Sequence, residues 1–407
     1  MRRLLLLSLV VIFSLHAIAA PEQVTVEQLR QTLAGAKGKT DKQVATQISG
    51  LQLTERLSRD ELTRLSRALP GERSKTALRA IAVASAFSDP PPSGVLPDPS
   101  PDAKAQEKIL TRAAKRVGKQ ADTLPSFLVT RTTTHFQDAE VYPYSNWIEY
   151  YTPGNLRLID RQTDDIRCYA GGDEGQEMSD EDVGRHKESQ SLNGMTGAGF
   201  QTIWGNITWA IPNPSPNALK PAGAFGPLLK TVMADIPQAQ VEWGYWERTA
   251  SARLAVFQFR VPQEDSHYEI AYGSSTDPAS GEQSVVATTA YHGEVAIDPA
   301  TGKVARLVLI CDLAPGQTIS MANLELEYAS VDIADRSYML PVRGVSASTI
   351  SLAAHHYTSD SFGDGQLRDQ IDHFTVTSLD DLGFMNYRIY KPRIRILPLK
   401  SLDRPSN

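Results

Sequence analysis

The sequence predicts an α+β protein: a helical N-terminal region, a proline-rich linker, then a curved, mainly antiparallel β-sheet partly covered by helices. Three observations predict it. Thr25-Val26-Glu27-Gln28 and Ser58-Arg59-Asp60-Glu61 each put a hydroxyl at a helix start and a carboxamide or carboxylate three residues later, the capping-box pattern. Pro90, Pro91, Pro92, Pro97, Pro99 and Pro101 then break the chain, because proline sustains neither a helix interior nor a central strand. From Thr289 to Ser348 apolar and polar side chains alternate with period two, which gives a strand one dry face and one wet face.

The chain has 407 residues, 41% hydrophobic and 22% charged, enough for a real core and more than one folding unit. Arg2 and Arg3 precede an apolar run from Leu4 to Ile18, with small residues at Ala17, Ala19 and Ala20. That pattern is a secretory signal peptide over residues 1–19, cut after Ala19 with Ala20 as the alternative. The run is short for a bilayer span of about 20 residues, no cysteine follows it, and no later stretch is apolar enough to cross. The expectation is a periplasmic or secreted protein with no transmembrane segment after cleavage. Without Arg2 and Arg3, 39 Lys and Arg face 47 Asp and Glu, a net of −8. Such a balance argues against nucleic acid, whose phosphates need a basic patch, and against an electrostatic hold on anionic lipid.

Taken in order, residues 20–88 form the helical region, with helices near 23–35, 40–50, 58–69 and 73–87. Leu62, Leu65 and Leu69 follow helical spacing, and Pro70-Gly71 ends that helix. Residues 89–101 favour polyproline II and read as a semi-rigid spacer. The sheet domain spans 102–407 and carries helices near 102–121 and 226–236. In the first, Asp102 caps a stripe of Ala105, Ile109, Ala113 and Val117; in the second, Pro227 stands at the first helical position. Phe127 to Thr133 reads as a strand, and a second pair covers 145–151 and 156–166. Residues 171–199 read as a polar, glycine-rich loop; Gly194, Gly197 and Gly199 lack both the dinucleotide fingerprint and the Walker lysine.

The remaining strands follow from side-chain alternation. Ala255, Phe257, Phe259 and Val261 share one face; Tyr268, Ile270 and Tyr272 share another. In the meander, Pro299-Ala300-Thr301-Gly302 supplies the turn between strands ending near Asp298 and starting at Val304, with glycine where φ > 0 is needed. Short links of this kind require antiparallel neighbours. Residues 351–366 read as a loop, followed by strands over 374–379 and 384–397.

No catalytic signature emerges. There is no nucleophile elbow and no H-E-x-x-H. His355 and His356 face opposite sides of a strand, and the stretch around Asp360 and Asp364 lacks the ligands of a calcium loop. His292 and Glu294 share a strand face, and Glu325 and Glu327 read as a wet outer face. No catalytic residue, metal or cofactor is expected, and a hydrolase is the least favoured class. Aromatic residues are the more suggestive signal. Trp204, Trp209, Trp243, Trp246, Tyr268 and Tyr272 combine an apolar body with a polar tip, which suits either a ligand mouth or a core edge. Cys168 and Cys311 are either one disulfide or two buried thiols, since an exported chain meets oxidising conditions.

Several stretches fall in a familiar order: Leu53-Thr54-Glu55-Arg56-Leu57-Ser58, Arg131-Thr132-Thr133-Thr134, Ala255-Val256-Phe257, Ser266-His267-Tyr268-Glu269, Tyr291-His292-Gly293-Glu294, Asp298-Pro299-Ala300-Thr301-Gly302 and Leu340-Pro341-Val342-Arg343. With them the mature chain resembles a group of uncharacterised exported proteins of soil bacteria, a resemblance that brings no activity with it. The hairpin at Asp298–Gly302 and the meander beyond it are also similar to the half-barrel of periplasmic lipoprotein carriers and of envelope sigma-factor regulators. The helical front part is not a feature of those carriers. The likeness implies a non-enzymatic envelope protein that binds an apolar ligand, a lipid or a lipoprotein acyl chain, on the concave sheet face. The alternative is a protein–protein interaction or scaffold module of the envelope, with the helical region as its docking face.

Overall fold

The structure, a computed structural model, describes residues 21–140, 149–150, 156–169, 224–249, 252–273, 284–359 and 367–390. The N-terminal region comprises β1 (Glu22–Val24), α1 (Val26–Ala34), α2 (Asp41–Ser49), β2 (Leu51–Leu53), α3 (Arg59–Ala68) and α4 (Glu72–Ala84). Its helices start where hydroxyls cap them. Thr25 forms the full capping box with Gln28, and Thr40, which the sequence reading passed over, forms another with Gln43. Ser58 accepts from Glu61 N without the reciprocal bond.

Gly71, at the start of α4, has no capping side chain of its own. Asp41 from α2 takes that role, its carboxylate accepting from Arg73 N, Ser74 N and Ser74 Oγ. A Cβ on Gly71 would stand 2.6 Å from that carboxylate, so glycine permits the approach. Leu29, Ile48, Leu57 and Leu78 are fully buried in the small core that results, each contributing roughly 1.5–3 kcal/mol by leaving water. The parallel pairing of β1 with β2 was not foreseen.

The sheet region contains β3 (Val95–Leu96), α5 (Ala103–Thr123), β4 (Phe127–Gln137), β5 (Ala139–Glu140), β6 (Glu149–Tyr150), β7 (Arg157–Cys168), α6 (Pro227–Asp235), β8 (Gln240–Arg248), β9 (Arg253–Val261), β10 (Glu269–Gly273), β11 (Ser284–Thr288), β12 (Ala290–Ile297), β13 (Val304–Asp312), β14 (Ile319–Ile333), β15 (Arg336–Ser359) and β16 (Leu367–Ile389). Ten strands make one open, curved sheet in the order β3-β8-β9-β12-β13-β14-β15-β16-β4-β7, each antiparallel to its neighbours. The α+β reading therefore holds.

Four local expectations change. The 351–366 loop is largely strand: β15 runs to Ser359 and pairs with β16 from Leu367 onward, while 360–366 lie outside the described residues. The two final strands are one, β16, which bulges between Met385 and Arg388 and pairs with β4; residues 391–397 lie outside the described residues. β7 pairs with β4, and the two-residue β6 pairs with β5. The proline stretch is not a free spacer. Val95 and Leu96 join the sheet as β3, and Pro99 O accepts from Trp246 Nε1 at 2.9 Å.

The two faces of the sheet are covered differently. On the inner face, α5 and α6 lie across β8, β9, β12, β13 and β14, where Ala113, Val232, Phe257, Tyr291, Val295, Leu309 and Leu326 form the largest core cluster. Further round, Phe225, just before α6, packs edge to face on Phe127 of β4 and Phe384 of β16. Arg112 of α5 donates to the carbonyls of Pro299 and Ala300, fixing the hairpin turn to the helix. Gly302 takes φ 70° there, as the turn requires. On the outer face, Ala80, Val83 and Ala86 in and after α4 pack on Phe136, Val345, Ala347 and Leu379. The helical region is thus docked on the sheet.

Candidate functional site

The register puts ionisable groups in rows across the outer face. Arg306 pairs with Glu327, and Glu327 with Arg343; Gln258 pairs with Glu294, Glu294 with Val308, and Val308 with Glu325. Because period two alternates faces, all of these point away from the inner core. Arg306 Nη2 stands 2.7 Å from Glu247 and Nη1 3.2 Å from Glu294. Arg56, from the helical region, reaches Glu247 at 2.9 Å. Tyr245 donates to Glu294 at 3.0 Å. A second group joins Arg343 to Asp381 and Glu327, with Arg79 of α4 also on Asp381.

Burial shapes the titration of this network. Burial alone pushes the Glu247 carboxyl up, but Arg306 and Arg56 outweigh it and hold the group below its ordinary range. Glu325, only 2% exposed, goes the other way. Burial and then Glu327 push its carboxyl up to about 6, against the pull of the nearby arginines. The expected wet face at Glu325 is thus wrong: the helical region covers it. A network of this kind locks two parts together.

Two hollows flank α4 on this face. One is a polar cleft of about 370 Å3 between the Ala86–Asp89 segment and strands β8, β9, β12 and β13. The other is an apolar crevice of about 200 Å3, walled by Leu51, Leu53, Ala77, Ala80 and Ile81 of the helical region, by Phe136 of β4 and Leu158 of β7, and by Leu156 just before β7.

The aromatic candidates lie elsewhere. Trp204 and Trp209 fall outside the described residues, as does the Tyr272 side chain. Trp246 is buried on β8, edge-on to Trp243 at 4.9 Å, and Arg253 lies 3.7 Å over its ring. Trp243 packs edge-on to Phe257 at 5.4 Å. Tyr268 is buried against Tyr291 at 5.5 Å. These three fill the inner core. No bond joins Cys168 to Cys311. They belong to different clusters, Cys168 beside Phe127 and Ile166, Cys311 among the residues under α5 and α6. Burial, with Asp312 nearby, pushes the Cys311 thiol up to about 12.

Two His–Asp pairs, one with its histidine exposed and one buried, join residues too far apart in the chain for a local pattern to show. His267 Nδ1 lies 2.6 Å from Asp235, which also accepts from Tyr291 OH at 2.8 Å and so ties α6 to β12. His135 Nδ1 lies 2.6 Å from Asp380 on the inner face, with its Nε2 buried and unpartnered. Among the described residues no cluster of three His, Cys, Asp or Glu is placed to hold a metal, and no helix is long and apolar enough to cross a membrane.

No protein-family model and no curated protein matches the chain, so the likeness to exported soil-bacterial proteins stands on its motifs alone. Among solved structures, the crystal structure of a LolA superfamily protein from Nitrosomonas europaea aligns over 71% of this chain and 94% of its own, at 10% identity and a TM-score of 0.23. An alignment at that score carries no argument, and the fold rests on the strand order and register given above.

Proposed function

We propose that the chain is an exported, non-enzymatic envelope protein that binds an apolar ligand, a lipid or an acyl chain. Export is supported by Arg2, Arg3 and the apolar run from Leu4 to Ile18. The observation that carries the binding reading is the apolar crevice beside α4. At about 200 Å3 it exceeds the engineered cavity of roughly 150 Å3 that stays dry and takes up benzene. Over β8 to β14 the inner face is filled by α5 and α6, so the ligand site moves from the concave face to the seam between the two regions.

The reading is tested with protein purified after export. Organic-solvent extraction and mass spectrometry should recover a bound amphiphile, and N-phenyl-1-naphthylamine should fluoresce on binding. Ala77→Phe, which fills the crevice, should abolish the fluorescence while leaving the circular dichroism unchanged. A wild-type protein that yields no amphiphile and takes up no probe rules the reading out.

The second reading, an interaction or scaffold module, is favoured by the Arg56–Glu247 and Arg79–Asp381 pairs that bolt the helical region down. That region then acts as part of one scaffold, not as a detachable docking arm.

A further inference from the structure

The polar cleft on the outer face is a second hollow, and its chemistry differs from that of the crevice. Its volume of about 370 Å3 falls within the 300–1,000 Å3 typical of small-molecule sites. The floor is sheet. Gln240 pairs with Arg260, Arg260 with His292, and His292 with Ile310; Glu242 pairs with Gln258 one row along. The Ala86–Asp89 segment, anchored where Arg56 N donates to Asp89 O at 2.8 Å, forms the wall.

The basic side chains around this hollow are already committed. Arg56 is held by Glu247, and Arg260 and His292 both sit on Asp312. A phosphate or carboxylate ligand would therefore meet arginines already neutralised, beside the carboxylates of Glu242, Glu294 and Asp89. The uncommitted groups are of another kind. Gln240 and Glu242 make no side-chain hydrogen bond among the described residues, and Gln258 donates to Glu294 while its carbonyl oxygen stays open. These three side chains are exposed, and they offer carboxylate and carboxamide groups a strand apart. The lining also includes the apolar side chains of Val308 and Ile310 on β13.

Closely spaced amide and carboxylate groups, with Val308 and Ile310 among them, match a ligand with hydroxyls on its edge and C–H groups on its face. Hydrogen bonds from such hydroxyls to a carboxylate are charge-assisted and short. The lining carries charges of both signs, with Arg56 and Arg260 set against Asp89, Glu242 and Glu294. We infer that this cleft is a binding site for a neutral, polyhydroxylated ligand, a short glycan.

The test uses the purified full-length chain with N,N′-diacetylchitobiose, cellobiose and maltose as probes, read by saturation-transfer NMR and calorimetry. At least one disaccharide is expected to bind. Glu242→Ala combined with Gln258→Ala should weaken it tenfold or more, and Ser88→Trp, which fills the cleft from the wall, should abolish it. Because all three positions are at the surface, unchanged unfolding curves should accompany the loss. Ala77→Phe in the neighbouring crevice should leave glycan binding intact, which separates this site from the apolar one. Three outcomes overturn the inference: no disaccharide binds at 10 mM or below (about 2.7 kcal/mol of affinity); binding survives both cleft variants; or spermidine or a lysine-rich peptide binds there instead.

Discussion

Arg306 Nη2 lies 2.7 Å from Glu247 Oε2, and the other oxygen of that carboxylate accepts from Arg56 Nη2 at 2.9 Å. One glutamate on β8 therefore joins a central strand of the sheet to the helical region. Burial opposes the charge on Arg306, yet Glu247 and its neighbours push its pKa above the ordinary arginine range. Charges out of water are held only while each has its partner.

Removing one partner should be costly. Arg306→Met leaves Glu247 and Glu294 short of a cation, and breaking a buried pair this way costs about 3–5 kcal/mol. Urea unfolding should show a lower midpoint with an unchanged slope. A change within 0.5 kcal/mol would mean that water reaches the network.

The pH dependence of stability should carry the mark of Glu325. Its carboxyl is pushed up to about 6 in the folded chain, from an ordinary value of 4.5, by burial and then by Glu327. A group that binds its proton more tightly when folded contributes stability that is full below about 4.5 and lost as pH rises through about 6. The loss is of order 2 kcal/mol, at about 1.36 kcal/mol per unit. Glu325→Gln should keep that contribution at pH 7 to 8, raising the thermal midpoint there relative to the wild type but not at pH 4.5. Glu247, whose carboxyl is held low, acts in the opposite sense and only in acid.

The hairpin clamp should respond to Gly302. Alanine there would have to adopt φ near 70°, at a cost of roughly 1–2 kcal/mol. Its Cβ would also meet Arg112 Cγ at 2.7 Å and the Arg112 backbone at 3.0 Å. Gly302→Ala should lower the thermal midpoint, and Arg112→Ala should relieve only the side-chain part. A double-mutant cycle with no coupling between the two would contradict the clamp.

Cys311 should be chemically silent. Burial, with Asp312 nearby, raises its thiol to about 12, so almost no thiolate exists at pH 8. Iodoacetamide should label it only after denaturant is added, and reductant should leave the midpoint of the native protein unmoved. A mass deficit of two hydrogens in the purified protein would show instead that the two cysteines pair.

Much of the fold was legible. Helix starts announce themselves through Thr25, Ser58 and Asp102, whose side chains each accept from the third residue of the helix that follows. The meander is readable because Leu324 and Leu326 alternate with Glu325 and Glu327. Alternation says that two faces differ, but not what covers each, and so Glu325 was read as wet. Nothing local marks Arg56 as the partner of Glu247, 191 residues away. Trp246 and Tyr268 lie in the inner core and Trp243 packs against it, a placement that their aromatic character alone leaves open. Both hollows are built from segments distant in sequence, which no local pattern announces.

The ends of the sheet have a consequence for the protein at high concentration. At one end β3 offers only two residues, between Pro92 and Pro97, and covers β8 only at Trp246 and Glu247. At the other, β7 is mostly exposed and carries Asp160, Arg161, Asp164 and Asp165, which repel or misalign an incoming copy. The β7 end is thereby guarded against edge-to-edge pairing, whereas the Gln240–Tyr245 stretch of β8 is the edge where a second copy would add first at high concentration.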